Sequence, residues 1–220
     1  MKKIFVTLLI LVFSTAVLAL ENLNFKGGYI SDNANIITRN DYSAIESIIR
    51  ELKSETTAEI AVVTVNSLQG QNIEDVAVQI GRTYKVGAKN INNGIVLLVA
   101  PNERTARIEV GMGLENTITN NKADNIMNDD MIPYFAQNEY SKGIYRGVAS
   151  LADIIANSYN KTLTYTSNAP EKKTYENNRA PWWVYPLAFF AIIFGGRRRR
   201  RGAFGGGGGF SGGHGSTGRW

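Results

Sequence analysis

The chain contains no cysteine and a single histidine, His214, close to its C-terminus. The first absence excludes disulfides, thiol nucleophiles and thiolate metal sites. The second excludes, from everything before His214, a Ser-His-Asp or Cys-His apparatus and a His-ligated catalytic zinc. No Gly-Lys-Ser/Thr follows the glycine run 205–209, so that run is not a phosphate loop. Gly111-Met112-Gly113 lacks the third glycine and the first-strand position of a dinucleotide fingerprint, and reads as a tight turn needing positive φ. There is no Asp-x-Asp-x-Asp-Gly loop of the EF-hand kind, and no internal repeat.

What is present begins with a deceptive charge. The 220 residues carry a formal net charge of +5, yet residues 21–160 hold 12 Lys and Arg against 17 Asp and Glu, a net −5. A folded unit of that sign does not fit a nucleic-acid partner. The positive balance sits at the ends. Lys2 and Lys3 precede the apolar run from Ile4 to Leu18, and Val17-Leu18-Ala19 supplies small residues at −3 and −1. Residues 1–19 therefore read as a secretory signal peptide, with an uncleaved anchor as the alternative. Residues 181–196, opening on Pro181-Trp182-Trp183, are uncharged and end at five arginines, Arg197 to Arg201. Aromatics at one end and arginines at the other predict a short transmembrane helix, with an interfacial tail as the alternative. The expected topology is single-pass in the cell membrane, with an extracytoplasmic (periplasmic or cell-surface) domain and a cytoplasmic tail whose arginines meet anionic lipid head groups.

Residues 161–180 are rich in Thr, Asn, Ser and Lys and read as a flexible linker. Residues 202–220 hold ten glycines in nineteen positions and, with the arginine cluster from 197, are expected to be a disordered tail. Between signal peptide and linker, residues 21–160 form one globular unit. Thr38 with Asp41 three positions on fits a variant capping box, opening a helix to about Ser54. Residues 58–65 read as a strand, 73–84 as a helix, and 94–100 (GIVLLVA) as a strand covered on both faces. Residues 106–110 return antiparallel after a turn, and helices follow at about 122–132 and 141–158. Strand–helix–strand followed by a hairpin predicts two parallel strands with a third added: an α/β fold, a three-layer α/β/α sandwich around a small mixed sheet.

Carboxylates, amides and hydroxyls are the functional groups available, and these are hard oxygen ligands suited to Ca²⁺ or Mg²⁺. The candidates are Asp32, Glu115, Asp124, Asp129 and Asp130, each with a plainer alternative. Asp32 fits an Asx-turn, Asp124 fits a helix dipole, and Asp129 and Glu115 fit a solvated surface. Asp130 is the hardest to dismiss. On a helical wheel it falls among Ala123, Ile126, Met127 and Met131, where a carboxylate costs free energy unless paired or metal-bound. Its plainer alternatives are an Arg or Lys partner, or an early helix end.

Three blocks, "YISDNANII", "VGAKNINNGIVLLVAPNERTARIEVGMGLENTIT" and "MIPYFAQNEYSKGIYRGV", resemble the TPM domain family in order and spacing over residues 28–158. The short apolar segment and glycine-rich tail ending in tryptophan, "GGGGGFSGGHGSTGRW", are similar to those of many bacterial members. The resemblance implies an α/β/α sandwich and a divalent-cation site in an acidic crevice at one end of the sheet. It adds Asn93 to the candidate ligands and places Asp32, Glu115, Asp129 and Asp130 in family blocks. A plant thylakoid member is linked to photosystem II repair and acid phosphatase activity, and an animal member is an accessory subunit of a receptor channel. The resemblance thus implies a Ca- or Mg-binding accessory or assembly factor for an integral membrane complex at the lipid bilayer. A metal-dependent phosphatase and a metal-free interaction module are the alternatives. Two departures stand out: Asn120 stands where members often carry Asp, a loss that removes a ligand and implies weak metal affinity, and Asn138-Glu139-Tyr140 stands for Gly-Asp-Tyr.

Overall fold

The computed structural model describes residues 28–173 and 212–220. The expected signal peptide (1–19), the run 181–196 read as a transmembrane helix and the arginine cluster 197–201 lie outside the described residues. Among those described, no helix is long and apolar enough to cross a membrane.

Strands β1 (Ile30–Asp32), β2 (Glu59–Thr64), β3 (Gly94–Ala100), β4 (Thr105–Gly111) and β5 (Gly212–Arg219) form one mixed sheet in that spatial order. The first three are parallel; β4 runs antiparallel to β3, and β5 antiparallel to β4. All seven residues of β3 are buried, as a strand with no polar position must be if both faces are covered. On one face α2 (Ile73–Tyr84) packs Ile73, Val76, Ala77 and Ile80 against Val63, Val96 and Leu98. The other face is larger and carries α1 (Arg39–Thr56), α5 (Tyr140–Ser158) and the helical segment 120–135 over Ile60, Val62, Leu97 and Ile108. The three-layer sandwich is as the sequence predicts.

Local chemistry explains the element ends. The Thr38 hydroxyl accepts from the Asp41 amide at 3.2 Å, capping α1. The reciprocal half of a capping box is absent, because the Asp41 carboxylate accepts instead from the Ser141 hydroxyl at the start of α5. The helix expected over 122–132 is interrupted: α3 (Asn120–Asn125) passes into a π-helical turn, Ile126–Met131, before the short α4 (Ile132–Phe135). Pro133 has no amide to donate back along the helix, so regular i→i−4 pairing cannot run through it, and a wider turn accommodates the break.

Three sequence readings need correction. Residues 30–32, to which the sequence assigns no element, form strand β1, three residues being too few to show a period. Residues 161–173 are not free linker: Leu163 is buried in the core, and the Glu51 carboxylate accepts the Thr164 and Tyr165 amides at 2.8 and 3.0 Å. Residues 212–220 are not a disordered tail but the edge strand of the sheet and its terminal Trp220.

An ion pair on β4 supports that edge. Arg107 donates to Glu109 through Nε at 3.0 Å and Nη2 at 2.6 Å, with both side chains almost wholly buried, and through Nη1 to the Thr217 hydroxyl of β5 at 3.0 Å. Burial raises the Glu109 carboxyl above its ordinary value, against the lowering pull of Arg107. Removing one partner of such a pair strands the other, so Glu109→Ala should cost about 3 kcal/mol, read by urea denaturation. A raised carboxyl pKa means that folding disfavours the ionised form. The stability contributed by this titration is therefore complete below pH 4.5 and declines as pH rises through the raised value. Wild type should lose stability relative to Glu109→Gln across that window.

Candidate functional site

At the carboxyl ends of β1 and β2 an open cleft of about 680 Å³ is lined by residues including Asp32, Asn33, Asn35, Arg39, Tyr42 and Ser43. This is where a sheet of this kind presents its loops. Asp32 ends β1 and folds the loop behind it. Its Oδ1 accepts from the Thr64 hydroxyl at 2.5 Å and the Ile36 amide at 3.2 Å, and its Oδ2 accepts from the Ile37 amide at 3.0 Å. Thr64 in turn accepts from the Ala34 amide at 3.0 Å, so β1, β2 and the loop are tied through one carboxylate. With three acceptor directions taken, little of that carboxylate is free for a cation. The neighbouring Tyr42 hydroxyl is pushed up, first by burial and then by the Glu46 and Asp32 charges, and stays protonated.

The other candidates lie elsewhere. Asn93 precedes β3, at the opposite end of the parallel strands from Asp32. It is buried, its Oδ1 accepts from the Ala88 amide at 2.8 Å, and its Nδ2 donates to the Thr57 hydroxyl at 3.1 Å. It holds a loop through both ends of its side-chain amide. Glu115 leaves the far end of β4 and sits 3.9 Å from the His214 ring. Asp124 is exposed on α3, and Asp129 is exposed with Lys172 3.1 Å away. Asp130 is buried on the apolar face, as the wheel predicts, and Arg146 of α5 reaches it at 3.3 Å, with Lys172 at 3.9 Å. The misplaced charge thus has an arginine partner.

Asp32, Glu115 and Asp130 therefore do not converge, and the described residues contain no group of three His, Asp or Glu able to hold a metal ion. The six candidate ligands do not fit a resident, tightly held cation. Gly111 and Gly113 also have a role other than the expected one. Gly111 has φ −71°, and a Cβ on Gly113 would stand 2.0 Å from the Ile91 carbonyl. The motif lets two backbones touch. Tyr42 and Arg39 were missed as lining residues, because nothing in their sequence context separates them from ordinary positions of α1.

The Asp130–Arg146 pair is partly open to water at the arginine, whose side chain is 28% exposed, so its worth is modest. Asp130→Asn should lower stability by about 1 kcal/mol, and by the same amount with and without millimolar calcium in thermal denaturation. A calcium-induced stabilisation of wild type that the substitution abolishes would contradict this assignment.

The sequence profile of the TPM domain matches residues 30–154. No curated protein matches the chain. Among solved structures, the N-terminal domain of a protein from P. gingivalis is 27% identical, with a TM-score of 0.57 over 62% of this chain and 87% of that one. The BA42 protein from the psychrophilic bacterium Bizionia argentinensis is 20% identical, with a TM-score of 0.49 over 59% and 92%. The profile spans more than half of the chain: this chain belongs to the TPM domain family.

Proposed function

We propose that this TPM domain is an extracytoplasmic, membrane-associated interaction module that supports a membrane complex, and that it is not a hydrolase built around a resident metal ion. The dispersal of its acidic side chains carries this reading. Asp32 is held by three protein donors, Asp130 by Arg146, and Glu115 lies at the far end of the sheet. The amino-terminal basic and apolar run and the apolar segment 181–196 support export and membrane association.

The Asp32 cleft retains hard oxygen donors from Asn33, Asn35 and Ser43, but a single carboxylate supplies its only negative charge. Calcium affinity follows ligand charge, so such a site belongs at the millimolar end of the range. A phosphatase would need a nucleophile with a base beside it, or two carboxylate-held metals. The cleft offers a protonated tyrosine and a satisfied aspartate in a net-negative domain.

Two measurements test the proposal on the full-length chain in detergent. Calorimetric calcium titration should show half-saturation no tighter than about 1 mM, and chromogenic phosphate hydrolysis should be equal in wild type and Asp32→Ala. Micromolar calcium binding lost in Asp32→Asn would overturn the metal half; hydrolysis abolished by Asp32→Ala would overturn the rest. Affinity purification from native membranes should retain an integral membrane protein in fixed proportion. Recovery of the chain alone would sink the interaction role.

A further inference from the structure

The glycine-rich C-terminus is recognised residue by residue as well as paired. Register runs from Thr105 opposite Arg219 to Val110 opposite His214, and backbone pairing of that kind is blind to sequence. Four contacts add specificity. A Cβ on Gly215 would stand 2.0 Å from the Ile108 carbonyl, and one on Gly218 would stand 2.4 Å from Cγ of the fully buried Met127. The Thr217 hydroxyl accepts from Arg107, and a ring nitrogen of His214 lies 3.0 Å from the Ile118 carbonyl. Trp220 then closes the strand. Its indole packs against Phe135 at 4.7 Å and Tyr140 at 5.8 Å between ring centroids, and its amide donates to the Arg104 carbonyl at 3.4 Å.

The same strand is weakly built. Glycine carries a large ordering entropy and no side chain to pack, and the Trp220 Nε1 is buried with no hydrogen-bond partner among the described residues. One aromatic anchor, two side-chain hydrogen bonds and the sheet ladder hold it.

We propose that the groove between the β4 edge and residues 126–135 is a sequence-specific receptor for a strand ending in Gly-Ser-Thr-Gly-Arg-Trp, that this chain's own C-terminus is its exchangeable occupant, and that docking keeps the C-terminus in the domain's compartment. Residues 28–173 and 212–220 share one sheet, so the chain between them must leave and re-enter on the same side. Each helical crossing needs roughly 20 apolar residues, and the run 181–196 suffices for one at most. A docked strand and a single crossing by that run exclude each other. The topology with a cytoplasmic tail, expected from the arginine cluster, is thus incompatible with the sheet as it stands. The compartment clause rests on the membrane-associated reading above; the docking clause stands without it.

The absence of native cysteine makes a clean test. Thr105→Cys with Arg219→Cys places two thiols on directly opposed strand positions, within the usual reach of a disulfide. Oxidation of the full-length double variant in native membranes should give a faster-migrating monomer on a non-reducing gel, and adding Trp220→Ala should cut its yield several-fold. Disulfide-linked dimers would overturn the proposal in favour of a second copy's tail. No cross-link would overturn it in favour of an undocked tail. Hydrogen exchange on the wild-type chain needs no substitution: the β5 amides should be protected, and free exchange there would refute docking even if the double variant failed to fold. Neither readout depends on calcium or on a partner, so the two proposals fail separately.

Discussion

Burial of β3 on both faces is the constraint from which the rest of the architecture follows. Its seven residues offer no polar side chain, so helices must cover the sheet above and below. The α2 layer is thin and closes one face; the other needs α1, α5 and the segment 120–135 together. Polar chemistry is pushed to the two ends of the sheet and to the outer faces of the helices. That separation is why acidic residues close in sequence pattern end up far apart in space.

The fate of each carboxylate illustrates the same economy. Asp32 satisfies two loop amides and a hydroxyl that would otherwise stand unpaired where β1 ends. Asp130 answers Arg146 across the seam between the π turn and α5. Glu109, the most deeply buried acid among the described residues, answers Arg107 and through it reaches the C-terminal strand. Each of these three carboxylates joins residues brought together by the fold. A charge inventory read from composition alone cannot see this, because pairing is invisible until partners from distant segments are brought together.

The C-terminus carries the widest gap between pattern and structure. A run rich in glycine has the composition of a disordered tail, and in isolation nothing in it favours a strand. Placed beside β4 and beneath Met127, the lack of side chains becomes the requirement, since a Cβ on Gly215 or Gly218 would collide. The terminal tryptophan packs against Phe135 and Tyr140.

The sequence by itself determined the layered fold, the antiparallel return of β4, the spans of α1, α2 and α5, and the family, because hydrophobic period, cap chemistry and motif order are local or nearly so. It also determined that Asp130 would lie on a buried face. Only the tertiary structure decided that Asp130 meets an arginine, that Asp32, Glu115 and Asp130 stay apart, and that residues 212–220 complete the sheet. Those outcomes turn on which segments, more than a hundred residues apart in the case of Arg107 and Thr217, come within hydrogen-bonding distance. Distances of that kind are properties of the packed chain and leave no period in the sequence.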